Sequence, residues 1–493
     1  MKKIFSLLIL SSLIFAGCSN WLDVNTDPGN PSDVGAELIL PAAEASLATR
    51  LGGTLYNLGG FYAEYWTQAP EANQYNNITT YDLRTDFMDG DYQELFAGAL
   101  NDLERVRTLS EEKGTWGNYL AATVLRAYTF QVWVDAVDKS PYSQALKGTE
   151  FVNPEWEDGS AVYAGVLSEI DNALSKIESG STVSSTDLIL GGDLDEWIGF
   201  ANALKLKLLM RQSNVNNVSS EVNALIDANN FMTADVAMNV FEDAVGKRNP
   251  WYETTQDLNT DQNHVAAIPI IRFLNAKADP RISVLYAPAA TSGTYEGFYP
   301  ALKEIELGHL TTDYSRAVGS ATQPVYLYSM AELYLFIAEA ELRFNNDKNA
   351  AKIAYEKAVD AGLSTKGIDP STVDLYSSST KPYYFDVSKT TDELFEQIMM
   401  QKWVALCQVN NYEAWCELRR TNIPKYFGNL DDYGDGTTYI AGEYLDPAKN
   451  LLPTGYYVPN RMPYPDLAVS RNTNTPKLSS VDGFIQKVWW DNN

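Results

Sequence analysis

Apolar positions along the chain recur mostly with a helical period. Between Glu196 and Gln212 they fall at Trp197, Phe200, Ala201, Leu204 and Leu208, one stripe of a 3.6-residue repeat, with Lys205, Lys207 and Arg211 off it. Tyr163, Val166, Leu167, Ile170, Leu174 and Ile177 make a second stripe. The same reading predicts helices over about 95–109, 118–134, 329–344, 350–361 and 394–407. The stretch from Ser329 to Phe344 is apolar on nearly every face (Leu333, Leu335, Phe336, Ile337, Ala338, Ala340, Leu342), which predicts a helix buried between layers. Asn345-Asn346-Asp347 follows as a turn.

The next helix sets Ala351, Tyr355 and Ala358 on one face. Small, aromatic, small at that spacing resembles the second helix of a tetratricopeptide (TPR) unit, where small residues let two helices approach and the ring fills the gap. Weaker helix pairs are read near 92–134 and 160–212. Between them lie long stretches rich in Pro, Gly, Asn, Asp and Tyr, at about 66–90, 139–158, 214–325 and 421–493. Their aromatic content argues against disorder, so they are expected to be ordered and to carry the site. The expected fold class is all-α dominated, a TPR-like helix-pair scaffold with long ordered loops and little β.

The first residues read differently. Met1-Lys2-Lys3, an apolar run to Phe15 and Ala16-Gly17 before Cys18 make a secretory signal peptide over residues 1–17, too short to span a bilayer. Phe15-Ala16-Gly17-Cys18 resembles the lipobox of a bacterial lipoprotein, although Phe15 stands where Leu is usual. An acylated Cys18 holds a protein to a membrane without a transmembrane helix, since each buried methylene contributes about 0.8 kcal/mol and two chains anchor firmly. Residues 18–34 then read as the lipidated cysteine and an extended tether, and 35–493 as one helical ligand-binding domain.

Composition narrows the partners. The chain has 493 residues and a net charge of −27, a field that repels nucleic acid and anionic lipid and favours neutral ligands. Three cysteines are too few for a disulfide scaffold. Cys407 and Cys416 would face opposite ways on one unbroken helix. Asn410-Asn411 can break it, which leaves a disulfide open beside the reading as two buried thiols. No G-x-S-x-G, P-loop, H-E-x-x-H or C-x-x-C motif is present. The two histidines, His264 and His309, stand in unrelated contexts and read as structural or solvated. Asp431-Asp432-Tyr433-Gly434-Asp435-Gly436 begins like a calcium loop, but Tyr433 and Gly442 occupy ligand positions, so it reads as an acidic turn. No cofactor and no metal is predicted.

Several segments together resemble the SusD/RagB family of nutrient-binding outer-membrane lipoproteins: Trp21-Leu22-Asp23-Val24-Asn25-Thr26-Asp27-Pro28, Leu40-Pro41-Ala42-Ala43-Glu44-Ala45, Trp66-Thr67-Gln68, Asn73-Gln74-Tyr75-Asn76, Pro141-Tyr142-Ser143-Gln144-Ala145-Leu146, Phe200-Ala201-Asn202-Ala203-Leu204-Lys205-Leu206-Lys207, Gln401-Lys402-Trp403-Val404-Ala405-Leu406, Glu413-Ala414-Trp415, Arg419-Arg420-Thr421 and Arg461-Met462-Pro463-Tyr464-Pro465. They run in order along essentially the whole chain. Ala136-Val137-Asp138-Lys139-Ser140 replaces the family's Tyr-Gly-Asp. The resemblance implies a non-enzymatic protein anchored in the outer membrane and facing the cell exterior. It implies capture of an oligosaccharide or peptide, and a SusC-like TonB-dependent β-barrel transporter as partner. Two rival readings stand beside it: a lipid-anchored glycoside hydrolase using two carboxylates, and a TPR adaptor that binds only protein.

Ligand residues do not transfer from the resemblance. Loop aromatics flanked by amides are the candidates, because a ring face stacks on a sugar while amide and guanidinium groups take its hydroxyls. One group is Trp66, Gln68, Asn73, Gln74, Tyr75, Asn76, Tyr81 and Arg84; the other is Trp251, Tyr252, Tyr295 and Tyr299, with Trp66 and Trp251 foremost. Arg419-Arg420, beside Glu413 and Glu417, reads as a structural ion cluster.

Overall fold

Helix boundaries fall where local capping chemistry places them. In the computed structural model, which describes residues 34–257, 263–301, 313–428, 439–447 and 451–492, Ser329 caps Met330–Arg343, and its hydroxyl oxygen accepts from the Glu332 N–H. Asp347 caps Lys348–Ser364, accepting from the N–H groups of Asn349 and Ala350. Thr390 and Glu393 form a reciprocal capping box for Thr391–Leu406, and Asn410 caps Asn411–Thr421. Cys18, the leader, nearly all of the tether, His309 and the turn at 431–436 lie outside the described residues.

Ten helices position the site: α1 (Ala36–Arg50), α2 (Tyr56–Tyr62), α3 (Asn101–Lys113), α4 (Trp116–Val137), α5 (Gly159–Ser175), α6 (Leu194–Arg211), α7 (Met330–Arg343), α8 (Lys348–Ser364), α9 (Thr391–Leu406) and α10 (Asn411–Thr421). They pack as sequential pairs, α3 on α4, α4 on α5 and α7 on α8, the arrangement of a TPR-like array. Ala351, Tyr355 and Ala358 are fully buried at the α7–α8 contact. Helix α4 is buried from Gly117 to Val137, because α1, α3, α5 and α6 enclose it. Strands are two to four residues long throughout the described residues.

Three features differ from the sequence reading. Helix α1 and its continuation were not predicted, since Pro41 and the pairs Gly52-Gly53 and Gly59-Gly60 interrupt the apolar pattern. The stretch 214–325, read as irregular, contains helices at Ser219–Ala228 and Ile268–Ala276; Pro269 reads as a breaker but sits in the first turn of the second, where its missing N–H costs nothing. Lys207 and Arg211, off the apolar stripe of α6, are nonetheless fully buried. Cys407 and Cys416 are free buried thiols on either side of the break between α9 and α10.

Lys207 and Arg211 are buried because carboxylates meet them there. Lys207 Nζ lies 2.7 Å from Glu332 and 3.6 Å from Glu413. Arg211 pairs with Glu413 and stands 3.4 Å from Glu417. Arg420 reaches Glu339 at 2.6 Å and Glu417 at 2.7 Å, and Lys402 reaches Glu417 at 2.9 Å. Helices α6, α7, α9 and α10 are thereby joined through one buried network. The guanidinium and ammonium groups hold the Glu417 and Glu339 carboxyls below their ordinary range against the opposing effect of burial.

Two outcomes follow from this packing. Arg420→Met, which takes away the guanidinium that Glu339 and Glu417 share in the interior, is expected to lower stability by about 3–5 kcal/mol in urea unfolding. Lys205→Ala, which removes a partly exposed pair with Asp171, is expected to cost less than about 1 kcal/mol. The Glu44 carboxyl, which accepts from the Leu188 N–H at 2.8 Å, is pushed from 4.5 up to about 9 by burial, with the Asp187 charge adding to it. The folded state therefore keeps a proton that the unfolded chain releases. This contribution falls as pH rises from 4.5 to about 9, with a slope of at most about 1.4 kcal/mol per pH unit. Glu44→Gln is expected to flatten that slope in urea midpoints measured between about pH 5 and 8.

Candidate functional site

A small antiparallel sheet joins the two groups of loop candidates. Strand β1 (Trp66–Gln68) pairs with β2 (His264–Ala266), setting Trp66 opposite Ala266, Thr67 opposite Val265 and Gln68 opposite His264. Strands β3 (Tyr286–Ala287) and β4 (Arg316–Ala317) complete the order β1-β2-β4-β3. This pairing places Trp66 on Trp251, stacked with ring centroids 5.3 Å apart. Tyr56, Phe61 and His264 close around the pair. Gly60 is required beneath it: a Cβ there would lie 2.1 Å from the Trp66 ring. His264 is fully buried, its Nε2 lies 2.6 Å from Asn57 Oδ1, and burial pushes its pKa down to about 3, so the ring is neutral.

Over this box lies a cavity of about 630 Å³. Its first wall is the junction of α1 and α2, where Leu51–Leu55 is a π-type turn and Gly53 leaves helical backbone geometry (φ −108°, ψ −106°). Such bulges kink a helix and are frequent at functional sites. Gly52 permits the close approach of Val325, whose Cγ2 a Cβ would meet at 2.4 Å. The kink turns Arg50, Thr54 and Asn57 into the cavity; the second wall is Gln74, Tyr75, Asn77, Ile78 and Phe87, and the third runs from Gly246 to Thr254.

A chain of amides fixes the second wall. The Tyr75 N–H donates to Gln68 Oε1 (2.7 Å), Gln68 Nε2 to Asn263 Oδ1 (3.0 Å), Asn263 Nδ2 to Gln74 Oε1 (2.9 Å) and Gln74 Nε2 to the Tyr75 hydroxyl (3.2 Å). Burial pushes the Tyr75 phenol up to about 12, which keeps it a hydrogen-bond donor. Behind the first wall, burial raises the Asp91 carboxyl to about 7 against the opposing pull of Arg50. A half-buried ring among neutral amides and hydroxyls suits a polyhydroxylated ligand. The other large cavities differ. One of about 540 Å³ is lined by Lys277, Lys381, Lys389 and Lys425 with Glu393 and Glu396. One of about 530 Å³ has the stacked pair Tyr426 and Tyr457 on its wall.

Comparison with known proteins gives a direct result: the family described as "SusD-like_2: Starch-binding associating with outer membrane" matches residues 28–440. The chain belongs to this SusD-like family. Solved structures agree on the fold. A chitin-binding SusD homologue from Flavobacterium johnsoniae superposes with a TM-score of 0.73 at 18% identity, covering 93% of this chain and 99% of that one. A SusD homologue from Bacteroides fragilis gives 0.71 at 22% identity, covering 93% and 99%. A chitin-binding protein gives 0.71 at 20%, covering 92% and 100%. No curated protein sequence matches. Among the described residues no helix is long and apolar enough to cross a membrane.

Within this SusD-like structure the loop candidates take different places. Gln74 and Tyr75 line the cavity. Trp66, Trp251 and Gln68 are buried below it, each tryptophan giving a ring face to the other. Asn73 and Asn76 bond to one another on the outer rim (2.8 Å). Tyr81 is buried with its hydroxyl on that of Tyr444. Arg84 is exposed and paired with Asp86 at 2.6 Å. Tyr252 is half-buried beside Trp251, and its N–H donates to Asn249 Oδ1. Tyr295 and Tyr299 are half-buried, Tyr299 against Phe298 and Ile268. None of these last seven lines the cavity. The sequence reading missed Arg50, Asn57 and Phe87, which come from a helix junction and a short turn; the Gly52-Gly53 pair was the one local sign of a kink there.

Trp66→Ala is expected to lower stability by about 3–5 kcal/mol, because it empties a fully buried stack. Arg84→Ala is expected to change it by less than about 0.5 kcal/mol. Chemical unfolding followed by circular dichroism measures both.

Proposed function

We propose that the protein is a non-enzymatic, cell-surface glycan-binding lipoprotein. It is held to the outer membrane through an acylated Cys18, faces the exterior, and captures an oligosaccharide in the cavity beside Tyr75. It then delivers that ligand to a SusC-like TonB-dependent β-barrel. The observation that carries this reading is the cavity itself: a tyrosine face fixed by an amide chain, ringed by Asn57, Gln74, Asn77 and Thr54. Membership of a family described as starch-binding and associated with the outer membrane supports it. So do the chitin-binding descriptions of two proteins of the same fold. Glu253 is the one carboxylate among the described lining residues, whereas hydrolysis by the two-carboxylate route needs a facing pair. The segment after Cys18 supports a tether, and the barrel partner rests on the family resemblance.

Titration calorimetry of the Cys18→Ala form with maltohexaose, chitohexaose and a short neutral peptide tests this, with chromatography of the mixtures for products. The expected result is saccharide binding without cleavage, weakened about tenfold by Tyr75→Ala, the size of one good aromatic contact. Cleavage would overturn the non-enzymatic reading, and preference for the peptide would overturn the glycan. Membrane fractionation should find the native chain in the outer membrane, and Cys18→Ala released from it.

A further inference from the structure

Arg50 ends α1 on the first wall of the cavity, and its guanidinium makes no hydrogen bond to the described chain. Its nearest charged neighbours stand off at 3.9 Å: Asp91 Oδ1 from Nη1 and Glu94 Oε2 from Nη2. Glu94 is engaged elsewhere, accepting from the Ser46 hydroxyl, and Arg50 Nε is shielded from solvent with no acceptor. A guanidinium carries five N–H donors in a fixed plane, and donors left unmatched in a concave site are costly. The kink at Gly53 holds the residue against the cavity, and the loose pairing leaves the fork facing it. Its outer donors are open to whatever fills the cavity, solvent or ligand.

The charges around it say which acceptors. Arg248, the other cation on the wall, donates through Nε to Asp243 at 2.8 Å, and Glu253 adds a carboxylate on the same wall. Even with Asp91 protonated, among the described residues the two cations stand against the three carboxylates Glu94, Asp243 and Glu253. The described lining thus offers strong donors without net positive charge. An anionic sugar would meet a carboxylate in excess, whereas hydroxyl or amide-carbonyl oxygens accept from Arg50 at no such cost.

Resting on the glycan-binding reading above, we infer that Arg50 is the specificity-determining donor of the cavity and that it selects uncharged saccharides, through hydroxyl or acetamido oxygen, over acidic ones. The test titrates the Cys18→Ala form, and the same form carrying Arg50→Lys, Arg50→Gln or Tyr75→Ala, with maltohexaose, chitohexaose and hexagalacturonate at low and high salt. Thermal unfolding of each variant runs alongside. The expected result is binding of a neutral hexasaccharide at least about tenfold tighter than hexagalacturonate, the gap narrowing at high salt. Arg50→Lys keeps the charge but loses the planar fork, and is expected to weaken neutral binding about fivefold, Arg50→Gln more, with melting temperatures near that of the parent. Two results overturn the inference and leave the cavity reading intact: both Arg50 variants binding within about twofold of the parent while Tyr75→Ala weakens binding, or hexagalacturonate binding best and losing affinity in Arg50→Gln. Binding of no probe, or binding that Tyr75→Ala leaves unchanged, overturns the cavity reading and the inference together.

Discussion

The buried ion network between α6, α7, α9 and α10 is the constraint on which the rest of the molecule depends. Each of its members is an expensive group to remove from water; together they are tolerable only when every partner arrives. Burial pushes the Lys402 ammonium down to about 8 even with Glu417 and Glu339 beside it, so desolvation opposes pairing there. Hydrophobic stripes alone would let helices slide or exchange neighbours. A network in which Arg420 must meet both Glu339 and Glu417 permits one arrangement.

From α10 the constraint passes directly to the cavity. Helix α10 starts at Asn411, and α2 packs against that start so closely that a Cβ on Gly59 would lie 2.3 Å from the Asn411 carbonyl carbon. Asn411 Nδ2 also donates to the Tyr56 carbonyl. With α2 held, Gly60 admits the Trp66 ring, and the kink at Leu51–Leu55 sets the angle at which α1 delivers Arg50. The walls of the cavity come from loops and a junction, but each is referred to a rigid helix. Pre-organisation of this kind lowers the ordering cost that weak saccharide binding can least afford.

Within the site the aromatic residues divide their work by depth. Trp66, Trp251 and His264 form a buried, neutral box that supports Tyr75 from behind. Tyr75 and the amides above it meet the cavity, which Arg50 also lines. The strongly acidic chain around this site suits an uncharged ligand, since any net positive focus would have to be built locally. The polar lining is mostly neutral amide and hydroxyl, with each cation standing beside a carboxylate.

What was legible in the sequence is what depends on near neighbours. The 3.6-residue stripes marked seven of the eight longest described helices, Ala351, Tyr355 and Ala358 marked the TPR-like contact, and Glu413, Glu417 and Arg420 read as a structural cluster because they share one turn-spaced face. Lys207 and Arg211 could not be placed, because their partners Glu332, Glu413 and Glu417 lie more than a hundred residues away. The sheet was invisible for the same reason: strands of two or three residues carry no period, and β1 finds β2 nearly 200 residues later. Local periodicity and capping therefore determined the helices and the helical class. Only tertiary packing decided which aromatics stack on each other and which face a cavity, because burial is a property of the assembled walls and not of any residue's own segment.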